Sequence, residues 1–132
     1  MIERERLDTA VRYLEGARVL REAGEYAGAV SRCYYAAYQA MWAALGNPLT
    51  KPRWEHIGII KVFVRGYWDD PSHPTAGPGL HERFRFPLRR LYDLRLGVDY
   101  HAEPMTQETV DWALEAVQDL IETIKEKCRH EG

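Results

Sequence analysis

The residues best suited to chemistry lie close together, in the stretch LYDLRLGVDYHAEP at residues 91–104. Arg95 carries a planar guanidinium that can bind a phosphate through two parallel hydrogen bonds, and His101 carries an imidazole, which gives or takes a proton near neutral pH. Asp99 and Tyr100 stand between them. RNA supplies its own nucleophile, the 2′-hydroxyl, so a cation and a proton-transfer group can suffice to cleave it without a metal. The cluster is therefore a candidate RNA-cleaving site.

The same cluster also has a structural explanation. Asp99 follows Arg95 by four residues, which is the spacing at which opposite charges pair along a helix. Such an ion pair would fix the corner between two helices, with His101 simply exposed to solvent. Spacing alone leaves both the catalytic and the structural explanation open.

Other kinds of site find no pattern in this sequence. Carboxylate-bridged di-metal bundles need a Glu-x-x-His step on each of two helices, and the chain has no such step. Cys33 and Cys128 stand on different predicted helices, and the five histidines show no ligand-like spacing. Phosphate-binding glycine loops and the GxSxG of serine hydrolases are absent as well. We therefore expect no metal and no cofactor.

Length and composition are those of one soluble domain, which we place at residues 1–132. Of the 132 residues, 45% are hydrophobic and 29% are charged, the balance of an ordinary globular protein. The chain starts with the charged MIERERLDTA, contains two cysteines, and has no apolar run approaching the ~20 residues of a membrane span. We expect a cytoplasmic protein with reduced thiols that does not enter a membrane.

Charge is unevenly distributed along the chain. Residues 51–98 hold nine basic and five acidic side chains, whereas residues 99–132 hold three basic and nine acidic ones. The basic part could attract phosphates, with Arg89 and Arg90 as candidate contacts for RNA or another phosphate ligand. Salt bridges from these arginines to the acidic last helix are the alternative.

Hydrophobic periodicity predicts an all-α fold, a bundle of four to five helices with up-down topology. Apolar residues recur at steps of three and four in five segments, residues 5–23, 25–45, 54–66, 80–97 and 106–129. No run alternates with period two, so no strand is predicted.

Local features refine this prediction. Few charged residues stand on any side of the 25–45 helix, so we expect it to be central. The segment DDPSHPTAGPG at 69–79 predicts a long loop. Pro87 predicts a kink or a restart of the fourth helix, and Gly97 is expected to break it. Thr106 is the predicted N-cap of the last helix.

Three segments resemble one family when taken in order. They are AVSRCYYAAYQAMWAAL at 29–45, HIGIIKVF at 56–63 and LYDLRLGVDYHAEPMTQETVDWALEAVQDLIETI at 91–124. Together they resemble the HEPN domain family, small helical bundles often encoded beside a minimal nucleotidyltransferase. The resemblance covers nearly the whole chain apart from the 69–79 loop.

The resemblance implies a homodimer whose two copies bring their arginine corners together. In the ribonuclease branch of the family, an arginine and a histidine separated by four to six residues cut RNA without a metal, and Arg95 and His101 are separated by five. The resemblance also implies a toxin or effector that works with a nucleotidyltransferase. That partner can silence the toxin by attaching AMP to a tyrosine near the motif, for which Tyr100 is the nearest candidate, with Asp99 as a supporting residue.

Two further readings stay open beside this one. The chain could be a non-catalytic module that binds a nucleotide or presents a substrate to the nucleotidyltransferase, or a purely structural helical dimer. Tyr34, Tyr35, Tyr38 and Trp42 could stack nucleotide bases, but aromatic residues at helical spacing more often pack in a core or a dimer interface. His56 is expected to be a capping or buried hydrogen-bonding histidine rather than a catalyst.

Overall fold

A computed structural model describes residues 3–65 and 78–129 of the chain. Within these ranges it contains five α-helices and no strand, so the predicted all-α bundle is confirmed. The helices are α1 (Arg4–Glu22), α2 (Tyr26–Leu45), α3 (His56–Val64), α4 (Pro78–His101) and α5 (Gln107–Arg129). Residues 69–77 of the predicted loop lie outside the described residues, and the last two residues of that segment, which we expected in the loop, instead begin α4.

Helix α2 is the centre of the bundle, as the weak polarity of its sequence predicted. Twelve of its 20 residues are buried, and it packs against each of the other four helices. Alanine occupies many of these positions, which lets neighbouring helices approach closely. The buried alanines of α2 are Ala29, Ala36, Ala37, Ala40, Ala43 and Ala44. Arg95 and His56 both contact side chains of α2.

Helix α4 corrects two expectations. It continues without a restart through Pro87, and it also continues through Gly97 to His101. Pro87 removes one amide donor, but Phe84 and Leu88 beside it are buried in the core, and this packing holds the helix together. The predicted interhelix corner therefore begins only after His101.

The end of α4 is held together around Gly97. An ion pair between Arg95 and Asp99, four residues apart, spans this glycine. The Glu103 amide donates to the Gly97 carbonyl at 3.0 Å, which satisfies one carbonyl that a helix end would otherwise leave unpaired. Ala102 then leaves the helix with a left-handed backbone at φ 51°. The chain reverses here and enters α5.

Helix α5 starts at the predicted N-cap and forms ion pairs with arginines of α1 and α4. The Thr109 amide donates to Thr106 Oγ1 at 3.2 Å. Arg83 of α4 forms an ion pair with Asp119, and Arg21 of α1 forms one with Asp111 at 3.0 Å. Part of the uneven charge along the chain is thus satisfied internally. Across the described ranges, none of the helices has the length and apolar character needed to cross a bilayer.

Candidate functional site

Arg95 lies inside the bundle rather than on its surface. It is only 7% exposed, and its Nη2 donates to the Tyr35 hydroxyl of α2 at 3.2 Å. The guanidinium carbon lies 5.3 Å from the ring centre of Tyr34 and 5.5 Å from that of Tyr100, within the range of cation–π attraction. Burial disfavours the charged form, but the hydrogen bond to Tyr35 and the surrounding tyrosines outweigh it and raise the pKa of Arg95. The side chain is therefore a fixed, permanent cation.

The ion pair with Asp99 completes the surroundings of Arg95. Arg95 Nε lies 3.1 Å from Asp99 Oδ2, yet it is not aligned for a hydrogen bond, and it is the one buried side-chain nitrogen or oxygen without such a partner among the described residues. Asp99 also accepts a hydrogen bond at 3.2 Å from Ser31 of α2. The ion pair of the structural explanation is thus present, and it leaves the guanidinium only partly satisfied.

His101 occupies a different environment from Arg95. It is the exposed last residue of α4, next to the left-handed Ala102. Six helical positions separate two residues by about 9 Å along the axis and by about 120° around it. The Cα–Cβ bonds of the two residues therefore leave α4 in different directions, and within the described part of the chain no hydrogen bond joins Arg95 to His101. Tyr100 beside it is also exposed, at 67%.

The histidine that does share surroundings with Arg95 is His56, the first residue of α3. Its Nδ1 is hydrogen-bonded to the Tyr34 hydroxyl at 2.6 Å, and its ring centre is 4.8 Å from that of Tyr38. Burial lowers the pKa of His56, and the positive charges of Arg95 and Arg53 lower it further. The expectation of a hydrogen-bonded histidine is confirmed, and the lowered pKa favours the neutral form of the ring.

Tyr34 is the residue that joins Arg95 to His56. It is 1% exposed, and burial raises the pKa of its hydroxyl, so the hydroxyl keeps its proton and can donate to His56. Sequence reasoning marked all three residues but did not connect them, because they come from three helices. The only signal was the pairing of the YYAAY and HIGIIKVF segments in the family resemblance.

The other aromatic residues of α2 divide into two groups. Tyr38 and Trp42 are 8% and 5% exposed, so they are core residues, as the packing explanation predicted. Tyr35 is only half-buried, and its ring lies edge-on to that of Tyr34, with centres 5.5 Å apart. Of the four aromatic residues considered for base stacking, Tyr35 is the most accessible to a ligand.

Arg89 and Arg90 are both exposed. Arg89 lies 3.5 Å from Asp93 of its own helix, and the Arg90 guanidinium lies 4.0 Å from the ring centre of Trp112. Neither pairs with a described acidic residue of α5, so the alternative of salt bridges to the last helix is wrong for these two residues. The long side chains instead find partners one turn away and on an aromatic face.

The described residues offer neither a metal site nor a reactive thiol at Cys33. Within residues 3–65 and 78–129, no group of three or more His, Cys, Asp and Glu side chains could hold a metal ion. Cys33 is fully buried, and burial raises the pKa of its thiol to about 12, so this cysteine is not a nucleophile at neutral pH.

Fold and site together define a class: a small all-α domain built around a central helix, with a buried arginine held among tyrosines. The sequence profile of the HEPN domain family matches residues 3–127, and the chain belongs to that family. Among similar proteins is one from Methanocaldococcus jannaschii named "Putative toxin MJ0605", which is 26% identical over 123 residues, 93% of this chain and 86% of that protein.

Proposed function

We propose that this protein is a HEPN-domain toxin that cleaves RNA as a homodimer. Membership of the family and the relative named a toxin support the toxin class. The observation that carries the RNA chemistry is the arginine: Arg95 is a buried cation fixed by Tyr35 and Asp99. A fixed cation is what stabilises the negative charge that develops on a phosphate during cleavage.

Arg95 has donors left for a phosphate. Nη2 is engaged by Tyr35, and Nε faces Asp99 without a directed hydrogen bond. Nη1 has no partner among the described side chains, so a phosphate oxygen can accept from it. His101, exposed at the end of the same helix, would take the 2′-hydroxyl proton or return a proton to the leaving oxygen. Asp99 would hold the arginine in place, and Arg89 and Arg90 would contact neighbouring phosphates.

The angle between Arg95 and His101 supports a homodimer. Because the two side chains of one chain leave α4 about 120° apart, we place the arginine of one subunit opposite the histidine of the other. A two-fold axis then generates two equivalent sites.

A minimal nucleotidyltransferase is the proposed antitoxin. Tyr100 is exposed and lies 5.5 Å from the Arg95 guanidinium, so a group attached to it would stand at the phosphate site. The Tyr100 hydroxyl would attack the α-phosphorus of ATP, forming a phosphodiester and releasing pyrophosphate and a proton. The added AMP would both fill the site and neutralise Arg95.

A non-catalytic binding module is the second candidate. It is favoured by the burial of Arg95 and its pairing with Asp99, since a binding site needs the cation but not the nearby histidine. In this case the domain would hold a nucleotide or present a substrate to its partner without cutting RNA.

Cleavage of mixed RNA in the presence of a chelator separates the two candidates. We expect cyclic phosphate ends from the wild-type protein, and cleavage slowed about 100-fold or more in Arg95→Ala and in His101→Ala, each folded by circular dichroism. A 1:1 mixture of the two slow variants, refolded together, should regain roughly a quarter of the activity, because half of the dimers would contain one intact shared site. A wild-type protein that binds RNA without cutting it would favour the module instead.

A further inference from the structure

A groove lined with aromatic rings lies beside the cluster around Arg95. It runs between α2 and the segment that leads into α3, has a volume of about 600 Å³, and is lined among others by Tyr35, Tyr38, Trp42, Arg53, Trp54 and His56. This volume is within the range of small-ligand sites. Tyr38 and Trp42 form its buried floor, whereas Tyr35, Trp54 and His56 are half-buried and present their rings to it. We call this feature the aromatic groove.

The walls of the aromatic groove are fixed by hydrogen bonds. The Trp54 indole donates to the Gly46 carbonyl at 2.7 Å, and the Trp42 indole donates to Asn47 Oδ1 at 3.0 Å. The Tyr38 hydroxyl donates to the Trp54 carbonyl. Rings held in this way need little reordering when a ligand enters, which saves part of the entropy that binding normally costs.

The charge of the groove selects the sign of its ligand. Arg53 is exposed and has no ion-pair partner among the described residues. Burial lowers the pKa of His56, and the charges of Arg95 and Arg53 lower it further, so Arg53 is close enough to the groove for its charge to act there. The acid that lines the groove, Glu55, is paired with Lys51 at 3.3 Å. The guanidinium of Arg53, which has no ion-pair partner among the described residues, disfavours a cationic ligand, although the aromatic rings alone could bind one. The guanidinium and the rings together suit a flat ligand that carries negative charge.

The aromatic groove is also connected to the proposed catalytic arginine. Tyr35 lines the groove with its ring, while its hydroxyl accepts the hydrogen bond from Arg95 at 3.2 Å. A ligand stacked on Tyr35 is therefore separated by one side chain from the cation that would bind the phosphate.

We propose that the aromatic groove binds one unpaired nucleotide of an RNA strand, with its base against Tyr35, Trp54 and His56 and its phosphate on Arg53. Stacking on aromatic rings is how proteins hold single-stranded RNA, whereas the bases of a duplex are unavailable to it. The inference rests on the proposed action on RNA and adds a substrate preference: an unpaired residue next to the phosphate at Arg95.

Binding of an uncleavable RNA tests this inference separately from catalysis. The probe is a short, fluorescently labelled oligouridylate with 2′-O-methyl groups, which block the internal nucleophile, and the readout is fluorescence anisotropy. Arg53→Ala should weaken binding about tenfold and reduce the salt dependence by about one phosphate contact. Tyr35→Leu should weaken it about tenfold or more, and Tyr35→Phe, which keeps the ring but loses the hydroxyl bound to Arg95, should weaken it less than Tyr35→Leu does.

Arg18→Ala is the matched control, because it removes the same charge from the exposed face between α1 and α5, where Arg18 donates to Gln118. It should bind like wild type. A loss in Arg53→Ala no larger than that in Arg18→Ala would overturn the inference, and so would equal binding of a matched RNA duplex. Binding that depends on the groove without any cleavage of normal RNA would instead overturn the proposed catalysis and leave the groove standing.

Discussion

The two histidines near Arg95 differ in how the fold holds them. His101 is close to Arg95 in sequence but lies at the exposed end of α4, beside a left-handed alanine. His56 is distant in sequence, yet it is half-buried, hydrogen-bonded to Tyr34, and close enough to Arg95 for that charge to lower its pKa. Two residues close together on one helix need not point the same way. Residues from different helices can still share one environment when both contact the same buried side chain, as Arg95 and His56 both contact Tyr34.

This difference assigns the two histidines different work. An exposed histidine can exchange protons with solvent and with a substrate, as the proposed role of His101 requires. A histidine kept neutral by burial and two nearby arginines suits binding a base. Substitutions at these histidines and at their neighbours test whether the two roles are separate.

The largest effect is expected at Arg95, which lies on the same helix as His101 and close to His56. Arg95→Ala should lower the rate of RNA cleavage about 100- to 1,000-fold, because it removes the fixed donor at the phosphate. Arg95→Lys should recover little of this loss, since an ammonium cannot reach Tyr35 and a phosphate with a rigid fork. Single-turnover rates measure both variants, and a lysine variant with near wild-type rate would show that charge alone suffices.

His101 and His56 should separate in a kinetic comparison. His101→Ala should reduce the cleavage rate about 100-fold at saturating RNA, the usual cost of losing a proton-transfer group. His56→Gln should mainly raise the RNA concentration needed for half-maximal rate, because it alters the aromatic groove. The reverse pattern, with the rate loss in the His56 variant, would indicate that the half-buried His56 is the proton-transfer group.

Tyr34→Phe tests how much the hydrogen bond between Tyr34 and His56 contributes to the stability of the protein. The variant keeps the buried ring and removes the hydroxyl that bonds His56, so the free energy of unfolding should fall by about 1–2 kcal/mol. Urea denaturation of the wild-type and variant proteins measures this difference. An unchanged midpoint in Tyr34→Phe would mean that solvent replaces the lost hydrogen bond.

The smallest effect is a dependence of stability on pH. Because the pKa of His56 is lower in the folded state than its ordinary value of 6.5, the unfolded chain binds more protons as the pH falls below about 6.5. The free energy of unfolding should therefore decrease from pH 7 towards pH 5. His56→Gln should remove that part of the decrease, and equal slopes in the two proteins would contradict the buried, neutral state of His56.

Much of the fold could be read from particular segments. The few charges of the 25–45 segment indicated a central helix, and Thr106 indicated the start of α5; both are confirmed. A kink or a restart of α4 was predicted at Pro87 and a break at Gly97; the restart and the break are wrong, since the helix is continuous from Pro78 to His101. Local rules judge a proline by the donor it removes, whereas buried Phe84 and Leu88 decide whether the helix survives that loss.

The candidate site was predictable only in part. Arg95, Asp99 and His101 were identified by type and spacing, and the ion pair between Arg95 and Asp99 was anticipated. The burial of Arg95 was not anticipated, because a guanidinium is buried only where residues of another helix satisfy it. Here Tyr35 of α2 accepts a hydrogen bond from Arg95 directly, and Ser31 of α2 donates to Asp99, which pairs with Arg95. The position of His56 could not be foreseen for the same reason.

The helical class, the central position of α2, the family resemblance and the residues capable of chemistry could all be predicted from the sequence, because periodicity and residue type are local properties. Which of those residues contact one another is set by the packing of the helices. This packing buried Arg95 beside Tyr35, joined His56 to Tyr34, and left His101 at an exposed helix end. Hydrogen bonds and burial between helices depend on packing, which no single segment specifies.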